Sequence, residues 1–89
     1  MNLKRKTLRA GDVASLSELT INNVAEIIKV ECVNMVARRR LFEMGVTKGV
    51  IVEIKKFAPL GGPVAVKVRG VELCLRKTEL KYILAKVVK

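Results

Sequence analysis

Histidine, tryptophan and glutamine are absent from the 89 residues, and the missing histidine excludes the most. It is the side chain that titrates near neutral pH without help, the usual general base and the commonest transition-metal ligand. No Cys–His or Ser–His pair can therefore be assembled for nucleophilic catalysis. Gly61-Gly62 is the one paired glycine. It lies between two strand-like runs, without the strand-to-helix context and lysine of a phosphate-binding loop. The chain is expected to be non-catalytic and to need no cofactor.

Aromatic residues make up only 3% of the chain, and Phe42, Phe57 and Tyr82 are far apart. They form no stacking platform of the kind that grips single-stranded nucleic acid. No helix-turn-helix pair is apparent either. The two cysteines, Cys32 and Cys74, lack the paired spacing of a zinc site and read as reduced thiols in a chain without a secretory signal. No apolar run reaches transmembrane length. The expectation is a cytoplasmic protein with no membrane insertion.

What the chain does have is aliphatic residues and positive charge. Hydrophobic residues make up 51%, and many are β-branched, which favours strands. The net charge is +10. Lys4, Arg5, Lys6 and Arg9 carry part of it, but most is spread over the remaining residues. Such a surface favours anionic partners: nucleic acid, anionic lipid headgroups or an acidic protein face.

Residues 1–15 read as a basic N-terminal arm with a turn at Gly11-Asp12, and Leu3, Leu8 and Val13 are its candidates for packing. Leu16 to Leu19 suggests a short turn. Asn22-Asn23 then precede a strand over Val24 to Val30. Asn34 is a candidate helix N-cap, the helix runs Met35 to Met44, and Gly45 stops it in the left-handed region. At 100° per residue Ala37, Leu41 and Met44 form the stripe that should face the core, with Met35 and Phe42 nearly opposite, between Arg38 and Arg39. Period-two alternation follows. Val50, Val52 and Ile54 share one face of a strand, as do Val64, Val66 and Val68, and then Val71, Leu73 and Leu75. The turns are Ala58 to Pro63, where Gly61 and Gly62 are expected at positive φ, and Arg69-Gly70. Thr78 would cap one helical turn to Tyr82, and the last strand runs Ile83 to Val88. Short strands in so small a chain are best closed into a barrel, which removes bare edges.

Several of these residues resemble the FeoA family: Arg39-Arg40-Leu41-Phe42-Glu43-Met44-Gly45, Gly49, Ala58-Pro59-Leu60-Gly61-Gly62-Pro63 and Leu73-Cys74-Leu75-Arg76-Lys77, in that order. The resemblance spans roughly residues 16–88. Lys48 departs from it, since members often carry proline before the glycine. The resemblance implies a mainly β fold: a small SH3-like antiparallel β-barrel of about five strands, with one inserted α-helix and a short helical turn before the last strand. It sets an arm, 1–15, apart from a domain, 16–89. It also implies an accessory or regulatory role in ferrous iron uptake, exerted on FeoB, a membrane transporter with a cytoplasmic GTPase domain. Transition-metal binding belongs to the family's implied properties, but no ligand residue carries over.

Each candidate site residue has a structural reading beside the functional one. Arg38, Arg39 and Arg40 suit a solvated face near a helix C-terminus, or contact an acidic partner. Met35 and Phe42 are covered by residues 1–15, or serve as apolar anchors for a protein. Pro59, Leu60, Gly61 and Gly62 are turn chemistry, or a second docking element with Leu60 at its tip. The partner-binding set is therefore Met35, Arg38, Arg39, Phe42, Pro59, Leu60, Gly61 and Gly62, with FeoB as partner. The competing readings are a basic barrel that binds nucleic acid or serves iron-dependent transcriptional regulation, and a homo-oligomer formed through the same surface.

Overall fold

Period-two alternation of Val, Ile and Leu becomes strand wherever one face can be buried. The structure, a computed structural model, describes residues 8–32, 34–58 and 61–88. Six strands form in chain order: β1 Val13–Ser15, β2 Val24–Val30, β3 Ile51–Phe57, β4 Val64–Val68, β5 Val71–Leu75 and β6 Ile83–Val87. Helix α1, Met35–Glu43, is inserted between β2 and β3, and the short helix α2, Lys77–Leu80, between β5 and β6. All neighbours are antiparallel, in the order β1-β6-β2-β3-β4-β5. The fold is thus mainly β, as expected, with one strand more than the alternation predicts. The extra strand, β1, lies inside the segment read as a basic arm. Three residues are too few to show a period, and their strand state comes from pairing with β6 seventy residues away (Ala14 with Ala85). Among the described residues no helix is long and apolar enough to cross a membrane.

The inner faces supply the core. Val52, Ile54, Val64, Val66, Ile83 and Ala85 are fully buried, together with Leu16, Leu19, Leu41 and Leu80. Two register shifts adjust the curve of the sheet, between Ile27 and Lys29 and between Ile54 and Lys56. The second moves the inward position from Lys56, which straight alternation would bury, to Phe57, which packs on the core. Val71 departs from expectation. Its alternation assigns it to the face of Leu73 and Leu75, yet it is 57% exposed. It sits at the sheet's end, where among the described residues no further strand covers it.

The segment before β6 is held by charge. Thr78 is not the cap of α2; that position belongs to Arg76, and Glu79 closes the first turn by accepting a hydrogen bond from the Arg76 N–H at 2.9 Å. Glu79 is buried, and its other carboxylate oxygen accepts from the Arg40 guanidinium on α1. Burial pushes the Glu79 carboxyl up. The Arg76 N–H bond, the Arg40 hydrogen bond and the two guanidinium charges together outweigh it and hold the carboxyl below the ordinary value of 4.5.

The sign of the pH effect follows. A carboxyl with a depressed folded pKa stabilises fully above its unfolded value, and the contribution is lost as pH falls through the folded one. Glu79→Gln should therefore lower unfolding stability in urea by about 2 kcal/mol at neutral pH, the range for hydrogen bonds to charged groups. The gap between variant and wild type should close progressively on acidification below 4.5. A gap that is constant with pH would mean that the Glu79 charge is not what holds α1 to α2. Separately, Asn34→Ala should cost about 1 kcal/mol of stability, the usual loss for an N-cap, read from the same urea curves.

Candidate functional site

Helix α1 is defined at both ends by side chains and backbone in the expected way. Asn34 Oδ1 accepts from the N–H groups of Val36 (2.9 Å) and Ala37 (3.1 Å). At the other end Gly45 takes φ +85°. Its N–H donates to the Phe42 carbonyl (3.0 Å), and the Val46 N–H donates to the Leu41 carbonyl (2.9 Å). This paired pattern is a Schellman motif. Leu41 and Val46 both belong to the core cluster, so the motif anchors the helix end in the barrel.

Only one residue of α1 is fully buried, Leu41; Ala37 and Met44 are half-buried beside it. The predicted stripe therefore faces the core. The opposite side is bare: Met35 and Val36 are each 80% exposed and Phe42 is 69% exposed. Scattered exposed apolar residues are ordinary, but a contiguous group on one short helix is not. Among the described residues, no arm covers Met35 or Phe42. Met35, Val36, Arg38, Arg39 and Phe42 line one open depression. A second groove of about 540 Å³ runs between α1 and β2, lined by Ile28, Lys29, Val30, Arg38, Phe42, Thr47 and Lys48. Phe42 and Arg38 belong to both and form the ridge between them.

The three consecutive arginines have different surroundings. Arg40 is tied to Glu79 and is part of the scaffold. Arg39 pairs with Glu43 one turn on, at 3.6 Å and largely in solvent, an interaction worth little. The Arg38 side chain makes no hydrogen bond or ion pair among the described residues, and neither does that of Lys48 across the groove. The site thus combines an apolar ridge with two uncommitted cations.

The structure brings together Met35, Arg38, Arg39 and Phe42 of the expected set. Gly61 and Gly62 lie elsewhere, lining a smaller pocket with Pro63, Arg76, Lys77 and Thr78. Of this pair only Gly61 takes positive φ (+77°), correcting the expectation for Gly62. The Ala58 N–H closes the turn on the Pro63 carbonyl at 3.1 Å. Pro59 and Leu60 fall outside the described residues. Val36, Ile28, Val30, Thr47 and Lys48 escaped sequence reasoning. Val36 sits only 100° from Met35 on the helical wheel and was readable; the others are brought to α1 by the sheet.

Both cysteines are free thiols. Cys32 is buried, with its Sγ 3.7 Å from the Asn34 carbonyl, and Cys74 is exposed. Among the described residues no three Cys, Asp or Glu side chains converge as a metal site would require.

Comparison with known proteins places this geometry. A FeoA-like protein from Clostridium acetobutylicum is 33% identical, with 92% of each chain covered and a TM-score of 0.77. FeoA from Stenotrophomonas maltophilia, solved as a zinc complex, is described as a prokaryotic SH3 domain protein and a candidate ferrous iron transport activating factor. It is 30% identical over 82% of this chain and 89% of its own, with a TM-score of 0.72. A manganese-dependent transcriptional repressor has a TM-score of 0.80 at 10% identity, over 85% of this chain and 37% of its own, which shows a shared fold and nothing more. A search of curated protein sequences gave no match. The model of the FeoA domain matches residues 14–87. With that match over most of its length, an SH3-like sheet and relatives at 30% identity and above, this chain belongs to the FeoA family.

Proposed function

We propose that this chain docks, through the outer face of α1, on the cytoplasmic part of a FeoB-type ferrous iron transporter. It does so as a non-catalytic accessory protein of iron uptake, the role its family carries. The observation that carries the proposal is the exposure of Met35, Val36 and Phe42 on a helix capped at both ends. Burying such a side chain is worth about 1.5–3 kcal/mol, and the barrel leaves all three in water. Aromatic and Met anchors beside arginine are the composition of protein interfaces, with the anchors central and the charges at the rim. Arg38, Arg39 and Lys48 steer the encounter toward acidic surface and set its salt dependence. The turn residues Pro59, Leu60, Gly61 and Gly62 form a second contact in this reading. The chain's contribution is binding, and any effect on the transporter's GTPase follows from which of its states this surface prefers.

The test is capture of the isolated cytoplasmic domain of FeoB by the immobilised chain. Phe42→Asp should weaken capture by about tenfold or more, as loss of a central aromatic anchor does. Its unfolding stability should change by no more than about 0.5 kcal/mol, because the side chain touches solvent and not the core. Leu60→Asp should weaken capture less. A Phe42→Asp variant that stays folded and binds as tightly as wild type would remove α1 from the interface.

A further inference from the structure

Among the described residues the strand order ends in two edge strands, β1 and β5. Among the described residues β5 pairs with β4 and with no strand on its other side. The turn before it determines which backbone groups are left over. Arg69 and Gly70 both take positive φ (+53° and +80°), as a type I′ two-residue hairpin requires. Val68 and Val71, which flank the turn and are register partners, then form a hydrogen-bonded pair. Because such pairs alternate along an antiparallel ladder, Val71, Leu73 and Leu75 direct their N–H and C=O groups toward β4. Glu72 and Cys74 direct theirs to the open edge, and neither backbone bonds elsewhere among the described residues.

Two side chains point the same way. Val71 belongs to the inner face by alternation but is 57% exposed, whereas Leu75 is fully buried. Glu72 makes no hydrogen bond or ion pair among the described residues, although the chain carries a net charge of +10.

We propose that β5 is a self-pairing edge through which two copies of this chain form a closed dimer, antiparallel about a two-fold axis at Leu73. In that register Glu72 stands opposite Cys74 of the second copy, and the two exchange both hydrogen bonds. The symmetry repeats the exchange, so every outward backbone group of the strand is used. Leu73 meets Leu73 of the second copy in a non-hydrogen-bonded pair, where side chains approach most closely. Val71 comes opposite Leu75 of the second copy and loses its exposure. On the outer face Glu72 has two diagonal neighbours in the second copy, Arg76 and Glu72, both within reach of long side chains.

The neighbouring register, centred on Cys74, would need the backbone of Arg76 in the ladder. That N–H already donates to Glu79 Oε1, and that carbonyl already accepts from Glu79 and Leu80 at 2.9 and 3.0 Å. The register centred on Cys74 is therefore excluded. The contact is isologous and closes at two copies. It is small, so the association is weak.

Sedimentation velocity with reductant, at concentrations up to about 1 mM, tests this on the whole chain. Wild type should shift reversibly from monomer to dimer. Cys74→Pro deletes an outward N–H that has no internal partner, and Glu72→Lys sets a cation diagonal to Arg76; both should stay monomeric at every concentration. Phe42→Asp should dimerise as wild type does. Amide exchange at Glu72 and Cys74 should slow with concentration in wild type alone. A wild type that remains monomeric overturns the proposal. So does a dimer that survives both β5 variants, or one lost in Phe42→Asp, which would assign self-association to α1. None of these outcomes bears on capture of FeoB.

Discussion

The seating of α1 on the barrel is the constraint from which the rest follows. A nine-residue helix has room for one buried stripe, and here that stripe narrows to Leu41 with Ala37 and Met44 beside it. Leu41 continues through the Schellman turn into Val46, and Arg40 reaches across to the buried Glu79. These attachments all lie on the inner side. Rotating the helix to hide Phe42 would withdraw Leu41 from the core and strip Glu79 of its guanidinium. Removing a fully buried leucine costs about 2–5 kcal/mol, and unpairing a buried carboxylate costs a similar amount. The outer face is therefore held in water by what the inner face must keep.

That arrangement separates scaffold from surface among residues of the same type. Arg38, Arg39 and Arg40 are chemically identical and adjacent, yet among the described residues one is structural, one is loosely paired and one has a side chain with no partner. The distinction depends on Glu79, which lies 39 residues from Arg40 in the chain. Glu79 in turn caps α2 and so fixes the entry to β6, the strand that pairs with both β1 and β2. One carboxylate thus links the presented helix to the centre of the sheet. It works as a charge, which burial disfavours and which the Arg76 N–H, the Arg40 hydrogen bond and the two guanidinium charges favour.

Elements defined by local rules were legible in the sequence. β2, the Asn34 cap, the Gly45 stop and the inward faces of β3 and β4 follow from period, capping chemistry and positive φ. So does the family, because its motifs sit on those same turns. Elements defined by distant partners were not legible. β1 exists through its pairing with β6, and the bulge that turns Phe57 inward exists through β4. Thr78 has the better capping side chain in isolation; the helix starts after Arg76 because Glu79, paired with Arg40, accepts from the Arg76 N–H. In the site, Met35 and Phe42 could be found on a helical wheel. The groove wall from β2 and the Thr47-Lys48 loop could not. A manganese-dependent repressor shares the fold at 10% identity, and a shared fold does not by itself decide function. What this chain does rests on the side chains its barrel presents.

The central claim is that α1 faces outward to meet the transporter. Backbone amide shifts of the isotopically labelled chain, recorded while the cytoplasmic domain of FeoB is titrated in, test it most directly. The account predicts that perturbation begins at Met35, Val36, Arg38 and Phe42 and extends across the groove to Val30 and Lys48, while β5 stays unaffected. Perturbation confined to β5, or to the strands opposite α1, with the helix signals unmoved at saturation, would contradict it.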